Sequence, residues 1–144
     1  MVKVLNSLNV HVSCLGNHDL DFGVDKMREL VAKTAPCKWL LSNLYANGRP
    51  IGDLDTWMTK ECKLAGSNDT IKVGFFGLAG PDWLNQINIP EDVQLEYFDY
   101  VGKGREFAQM LRAEPHNCDL IIALTHMRAP EDRILARQVC EIDL

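Results

Sequence analysis

The sequence predicts an α/β layered domain, and three observations carry that prediction. Strand-like and helix-like stretches alternate along the chain, two runs (KWLLSNL and CDLIIALT) are apolar enough to be strands covered on both faces, and no internal repeat or linker divides them. Taken in order, Val2, Leu5 and Leu8 recur every third residue, as in the last turns of an amphipathic helix. Residues 10–15 read as a short strand stopped by Gly16. A loop over 17–22 leads to a helix over 23–33, with Val24, Met27, Leu30 and Val31 on one face and Pro36 closing it. The run over 38–44 reads as one buried strand, and Asn47-Gly48 as a turn. Residues 57–64 and 70–78 flank Gly66-Ser67-Asn68-Asp69 and read as an antiparallel hairpin. After Gly80-Pro81 a polar loop runs to about Asp92, then a short strand over 94–98 and a helix over 99–112 with Phe107, Met110 and Leu111 inward. The strand over 118–125 precedes a helix with Pro130 at its first position and Glu131 and Asp132 in its first turn. The closing EIDL reads as the approach to a further strand.

Composition narrows the function. With 144 residues the chain suffices for one domain, and 47% hydrophobic with 24% charged residues is ordinary for a globular one. A net charge of −5 and the lack of a basic stripe exclude a nucleic-acid polymer as partner. Cys14, Cys37, Cys62, Cys118 and Cys140 are odd in number and show no C-x-x-C spacing, so they read as reduced thiols, which points to a cytoplasmic setting. No apolar run approaches the roughly 18–20 residues that span a membrane. The first residues read as the end of a helix running straight into a strand, so Met1 is expected to be internal or a start assigned too late; a leader upstream would instead place the protein outside the cell.

The chemistry concentrates in Gly16-Asn17-His18-Asp19-Leu20-Asp21-Phe22-Gly23. An amide, an imidazole and two carboxylates lie within five residues directly after an apolar strand, where α/β sheets place ligands and where polar groups are costly without partners. The octapeptide resembles the GNH[DE]-x-D-[FY]-G signature of calcineurin-like metallophosphoesterases, in the form typical of their 5′-nucleotidase-like branch. The resemblance implies an α/β fold, a partial layered αββα sandwich with a mixed sheet. It implies that Asn17 is a metal ligand through its side-chain oxygen. His18 would stabilise the transition state or protonate the leaving alkoxide, and Asp21 would hydrogen-bond to its ring and fix the tautomer. Asp19 is expected to be structural.

A second element, Leu124-Thr125-His126-Met127-Arg128, ends the strand CDLIIALT. A lone His there is more often structural than a ligand; beside the first motif, the resemblance makes His126 a ligand of the same ion as Asn17. Arg128 reads either as a bidentate holder of a substrate phosphate or as a surface residue. His11 and His116 read as structural, Trp39, Trp57 and Trp83 as core or rim, and 50–56, with Asp53 and Asp55, as a solvated loop. The D-x-H, G-D and G-H-x-H blocks that complete the family's metal pair are absent, so residues 1–144 are expected to be a partial catalytic domain lacking its N-terminal and C-terminal ligand blocks, weakly active or inactive alone. The parent would hydrolyse phosphate esters, nucleotides first among them, with two divalent ions of the Mn, Zn, Mg, Fe or Co class about 3.5–4 Å apart. Two other readings stand beside this one: a non-catalytic binding or interaction module, and a protein-phosphatase-like esterase, against which the Asp21-Phe22-Gly23 tail speaks.

Overall fold

Helix α1 (Val2–Ser7) leads through Asn9, whose φ is 51°, into strand β1 (Val12–Cys14). The computed structural model describes residues 2–90 and 92–144; Met1, and Glu91 in the polar loop read from the sequence, lie outside the described residues. A 3₁₀ turn at Asn17–Leu20 replaces the expected loop, and α2 (Val24–Ala32) follows it. Gly23 joins the two at φ 82°, a left-handed conformation open to glycine. Met27 faces inward from α2, while Glu29 takes ion pairs from Lys26 and Lys33 on the exposed side.

Strand β2 (Lys38–Leu40) pairs in parallel with β1. The single strand expected over 38–44 is in fact two, because β3 (Leu44–Ala46) belongs to another sheet. The break falls at Ser42 and Asn43, both wholly buried, whose side chains bond main chain instead of continuing a ladder. Ser42 Oγ donates to Thr56 O and accepts from Gly77 N, while Asn43 Nδ2 donates to Ala79 O and Phe98 O and its Oδ1 accepts from Ala79 N. Asn47 and Gly48, at φ 52° and 74°, turn the chain from β3 into β4 (Arg49–Pro50), as the Asn-Gly pair predicts. The stretch 50–56 departs from the solvated loop expected there. Ile51 and Leu54 anchor it in the core, and Asp53 and Asp55 pair with Arg28 and Lys38.

The hairpin is present: β5 (Trp57–Lys63) and β6 (Thr70–Ala79) pair antiparallel from Trp57↔Phe76 to Lys63↔Thr70. On its other edge β6 pairs in parallel with β8 (Leu120–His126), giving the mixed sheet β5-β6-β8. Strand β7 (Leu95–Tyr97) adds to β3, and α3 (Tyr100–Arg112) starts from Asp99, whose side chain accepts from Gly102 N. Helix α4 (Ala129–Gln138) begins one residue before Pro130, which therefore sits at its second position rather than its first. Beyond it, Asp143 and Leu144 donate to Ile121 O and Leu144 O accepts from Ala123 N, so the chain's last residues run beside β8.

Two apolar clusters result. Phe76 and Leu78 of β6 pack with Phe107, Leu111, Ile121 and Leu135, so α3 and α4 cover one face of the mixed sheet. Leu15, Leu20, Met27, Leu41, Ile51 and Trp83 form the other cluster around β1 and α2. Between them the backbones come close: a Cβ on Gly77 would lie 2.5 Å from Leu40 O.

Candidate metal-binding site

Parallel neighbours end on the same side of a sheet, so β6 and β8 deliver Ala79 and His126 opposite each other. The end of β1 joins them, where Cys14 Sγ lies 3.8 Å from Leu78 O. The three segments that leave these strand ends carry the polar side chains, as expected of α/β ligand sites.

Asn17 opens the 3₁₀ turn after β1 and is 7% exposed. The turn is held by Asp19, whose Oδ2 accepts from Gly16 N at 2.8 Å, which is the structural role expected of that carboxylate. Gly16 also makes room for the neighbouring strand end: a Cβ there would sit 3.3 Å from Cε1 of His126. His126 lies with Nε2 3.0 Å from Asn17 Oδ1. Its ring stands edge-on to Trp83, centroids 5.4 Å apart, and its carbonyl accepts from Trp83 Nε1 and Gly80 N. The two residues that sequence reasoning paired, 109 positions apart, are in contact.

His18 is next to Asn17 but turns outward, its side chain 83% exposed. Asp21 holds Nδ1 at 3.1 Å, so Nε2 is the nitrogen left to face an incoming group. Arg128 donates from Nε to Asp82 Oδ2 at 3.0 Å, and its side chain is 69% exposed. A cavity of about 230 Å³ lies between these groups, walled by Asn17, Asp82, Trp83, Gln86, His126 and Arg128, together with Met127. His18 stands outside that wall.

The sequence reading missed the part that three of these residues play at the site. Trp83 is core, as expected, but it also supports the His126 ring; Asp82 and Gln86 were absorbed into a polar loop. The loop is a 3₁₀ turn at Pro81–Asn85 with proline at its start, and a Trp within a polar stretch directly after a buried strand was the available signal. Gln86 accepts from Asn17 Nδ2 at 2.8 Å and donates to Asp82 Oδ2 at 3.2 Å. Beneath the site, burial pushes the Cys14 thiol up to about 12, which makes it a packing group rather than a nucleophile. His116 packs edge-on against Trp57, 4.5 Å between centroids, and is structural.

The donor chemistry fits half of a divalent-ion site. A neutral amide oxygen and an imidazole nitrogen are ligand types of first-row ions. Asn17 Oδ1 and His126 Nε2, in hydrogen-bond contact at 3.0 Å, are close enough together to be held by one shared ion. Among the described residues no group of three or more His, Cys, Asp or Glu converges on a point.

No protein-family profile and no curated protein matches the sequence. Solved structures do match it. The NAD nucleotidase NadN of Haemophilus influenzae superposes with a TM-score of 0.76 over 99% of this chain at 21% identity. The sulfate thiohydrolase SoxB of Thermus thermophilus gives 0.73 over 99% at 16%, and the calcineurin-like phosphoesterase YfkN of Bacillus subtilis 0.70 over 87% at 24%. The chain spans only 26%, 24% and 37% of those proteins respectively. Likeness at such identities speaks for the backbone and not for the substrate, and the backbone of this chain has the fold of the calcineurin-like phosphoesterases and nucleotidases.

Proposed function

We propose that this chain is part of a metal-dependent phosphoester hydrolase acting on small phosphate esters, with nucleotides as the leading substrate class. The observation that carries the reading is the contact of Asn17 Oδ1 with His126 Nε2 at the ends of β1 and β8, beside a histidine whose Nδ1 is held by a carboxylate. When bound, divalent ions supply positive charge against phosphate oxygens and make water nucleophilic near neutral pH. Asn17 and His126 would hold one such ion. His18, oriented by Asp21, would deliver a proton from Nε2 to the departing alkoxide oxygen. Arg128, anchored to Asp82 through Nε, would present its terminal nitrogens to two phosphate oxygens. Trp83 would hold the His126 ring upright on the site's inner wall. The nucleotide preference rests on the resemblance of the 16–23 motif and on the nucleotidase among the similar structures.

The test is phosphate release from AMP and p-nitrophenyl phosphate with added Mn²⁺, by protein extended at both ends along its reading frame. Turnover that His18→Ala abolishes supports the reading; no turnover with either ester, or full turnover in His18→Ala, sinks it. A second reading, a non-catalytic binding module, is favoured by one observation: among the described residues no cluster of three or more His, Cys, Asp or Glu stands beside the Asn17–His126 pair. Calorimetric titration of the protein extended at both ends separates the two, because well-ordered two-site micromolar Mn²⁺ binding contradicts the module.

A further inference from the structure

An asparagine amide has nearly the same shape either way round, yet only one orientation offers oxygen to the His126 side of the site. We infer that Gln86 is a positioning residue that fixes the Asn17 amide with its oxygen toward His126. The metal-binding consequence rests on the reading proposed above; the orientation itself does not.

The sense of each amide follows from one group that can only accept. The carboxylate of Asp82 takes Gln86 Nε2 at 3.2 Å and Arg128 Nε at 3.0 Å on the same oxygen, Oδ2. Gln86 must therefore turn its NH₂ toward Asp82 and its oxygen, Oε1, toward Asn17. That oxygen accepts from Asn17 Nδ2 at 2.8 Å. With its NH₂ engaged there, Asn17 can present only Oδ1 to His126 Nε2, 3.0 Å away. The opposite orientation would set Asn17 Oδ1 against Gln86 Oε1, two acceptors with no proton between them, inside a pocket where Asn17 is 7% exposed. The chain of partners has a consequence for His126. Because Oδ1 accepts, the metal-free imidazole carries its proton on Nε2, and a divalent ion taking that nitrogen moves the proton to Nδ1. Gln86 stands 69 residues from Asn17 in sequence, so the loop after β6 governs a donor that follows β1.

The experiment uses the 144-residue chain and two readouts: ¹⁵N–¹H NMR of the His126 ring, which reports the tautomer, and Zn²⁺ titration. The wild type is expected to carry the His126 proton on Nε2 without metal. Gln86→Met keeps the side-chain length and removes the amide acceptor, so the proton divides between the two ring nitrogens and Zn²⁺ affinity falls about 10–100-fold. Gln86→Glu alone would face the Asp82 carboxylate with a second acceptor, so it is paired with Asp82→Asn, whose NH₂ donates to it; in that double variant the Glu carboxylate still accepts from Asn17 and restores the Nε2 proton. Gln86→Ala repeats the Met result should Gln86→Met fold poorly. A tautomer unchanged in both Gln86→Met and Gln86→Ala overturns the inference, and does so even if Zn²⁺ affinity falls, because Gln86 would then act by packing alone. Zn²⁺ bound neither by these proteins nor by the protein extended at both ends overturns the metal reading, while a tautomer that follows the substitutions upholds Gln86 as the positioning residue.

Discussion

Asn43→Ala removes a side chain that touches neither an ion site nor solvent, and its cost can be worked from the partners it leaves. Asn43 is wholly buried and makes three hydrogen bonds: from Ala79 N at 2.8 Å, to Ala79 O at 2.9 Å and to Phe98 O at 3.2 Å. The three losses are unequal. Ala79 O keeps the Tyr97 hydroxyl at 3.2 Å, and the bond to Phe98 O, long at 3.2 Å, is only part-buried. Ala79 N has no such substitute and becomes a buried orphan donor, which costs about 1–3 kcal/mol, while each of the other two losses costs about 0.5–1.5 kcal/mol at most. The sum is roughly 2–6 kcal/mol, a large share of the roughly 5–15 kcal/mol that holds a domain folded. Urea unfolding followed by circular dichroism measures it as a lower midpoint at constant slope. Ala79 is also the register partner of His126, so amide exchange at Ala79 and Gly80 should quicken in the variant more than exchange in α3. A stability loss under about 1 kcal/mol would refute the reasoning, since an orphaned Ala79 N–H cannot be that cheap.

Gly77→Ala should destabilise by about 3 kcal/mol or prevent folding, because the new methyl group meets the main-chain oxygen of Leu40 at 2.5 Å and neither backbone can yield; thermal denaturation reads it. His18→Ala should leave stability within about 0.5 kcal/mol, the side chain being exposed, while phosphate release by the extended protein falls about 10²–10⁴-fold. Cys14 should resist iodoacetamide at pH 8 while exposed Cys140 reacts, as peptide mass spectrometry would reveal. The same shift has a sign in stability: burial holds the Cys14 proton to about 12 in the folded chain against 9.0 in the unfolded one, so its contribution is complete below pH 9 and is lost as pH rises from 9 toward 12. A midpoint of unfolding by urea that does not fall across that range contradicts the placement of this thiol.

The readable parts of this chain are those in which local pattern and burial agree. Helices α2 and α3, the β5–β6 hairpin and β8 each carry a period or turn signal that their packing does not overrule. KWLLSNL misleads because periodicity cannot distinguish an apolar run from one interrupted by buried polar side chains. Ser42 and Asn43 are as buried as the leucines beside them, but they spend their hydrogen bonds on strands that arrive 14 to 55 residues later. The site divides in the same way. Asn17, His18 and Asp21 share one turn and a recognisable spacing, whereas Asp82, Trp83 and Gln86 act on them only across the fold.

That division bears on how such a site keeps its geometry. A buried amide placed on a 3₁₀ turn of four residues has little secondary structure to hold it, and a long-range partner must supply what the turn cannot. Here the supply comes from the segment after β6, which bonds the Asn17 amide through Gln86 and the His126 carbonyl through Trp83 and Gly80. One short stretch therefore touches both proposed donors, while Asp82 within it also anchors Arg128, which lines the same cavity. A substitution in that stretch should disturb amide, imidazole and guanidinium together, as coupled rather than additive losses.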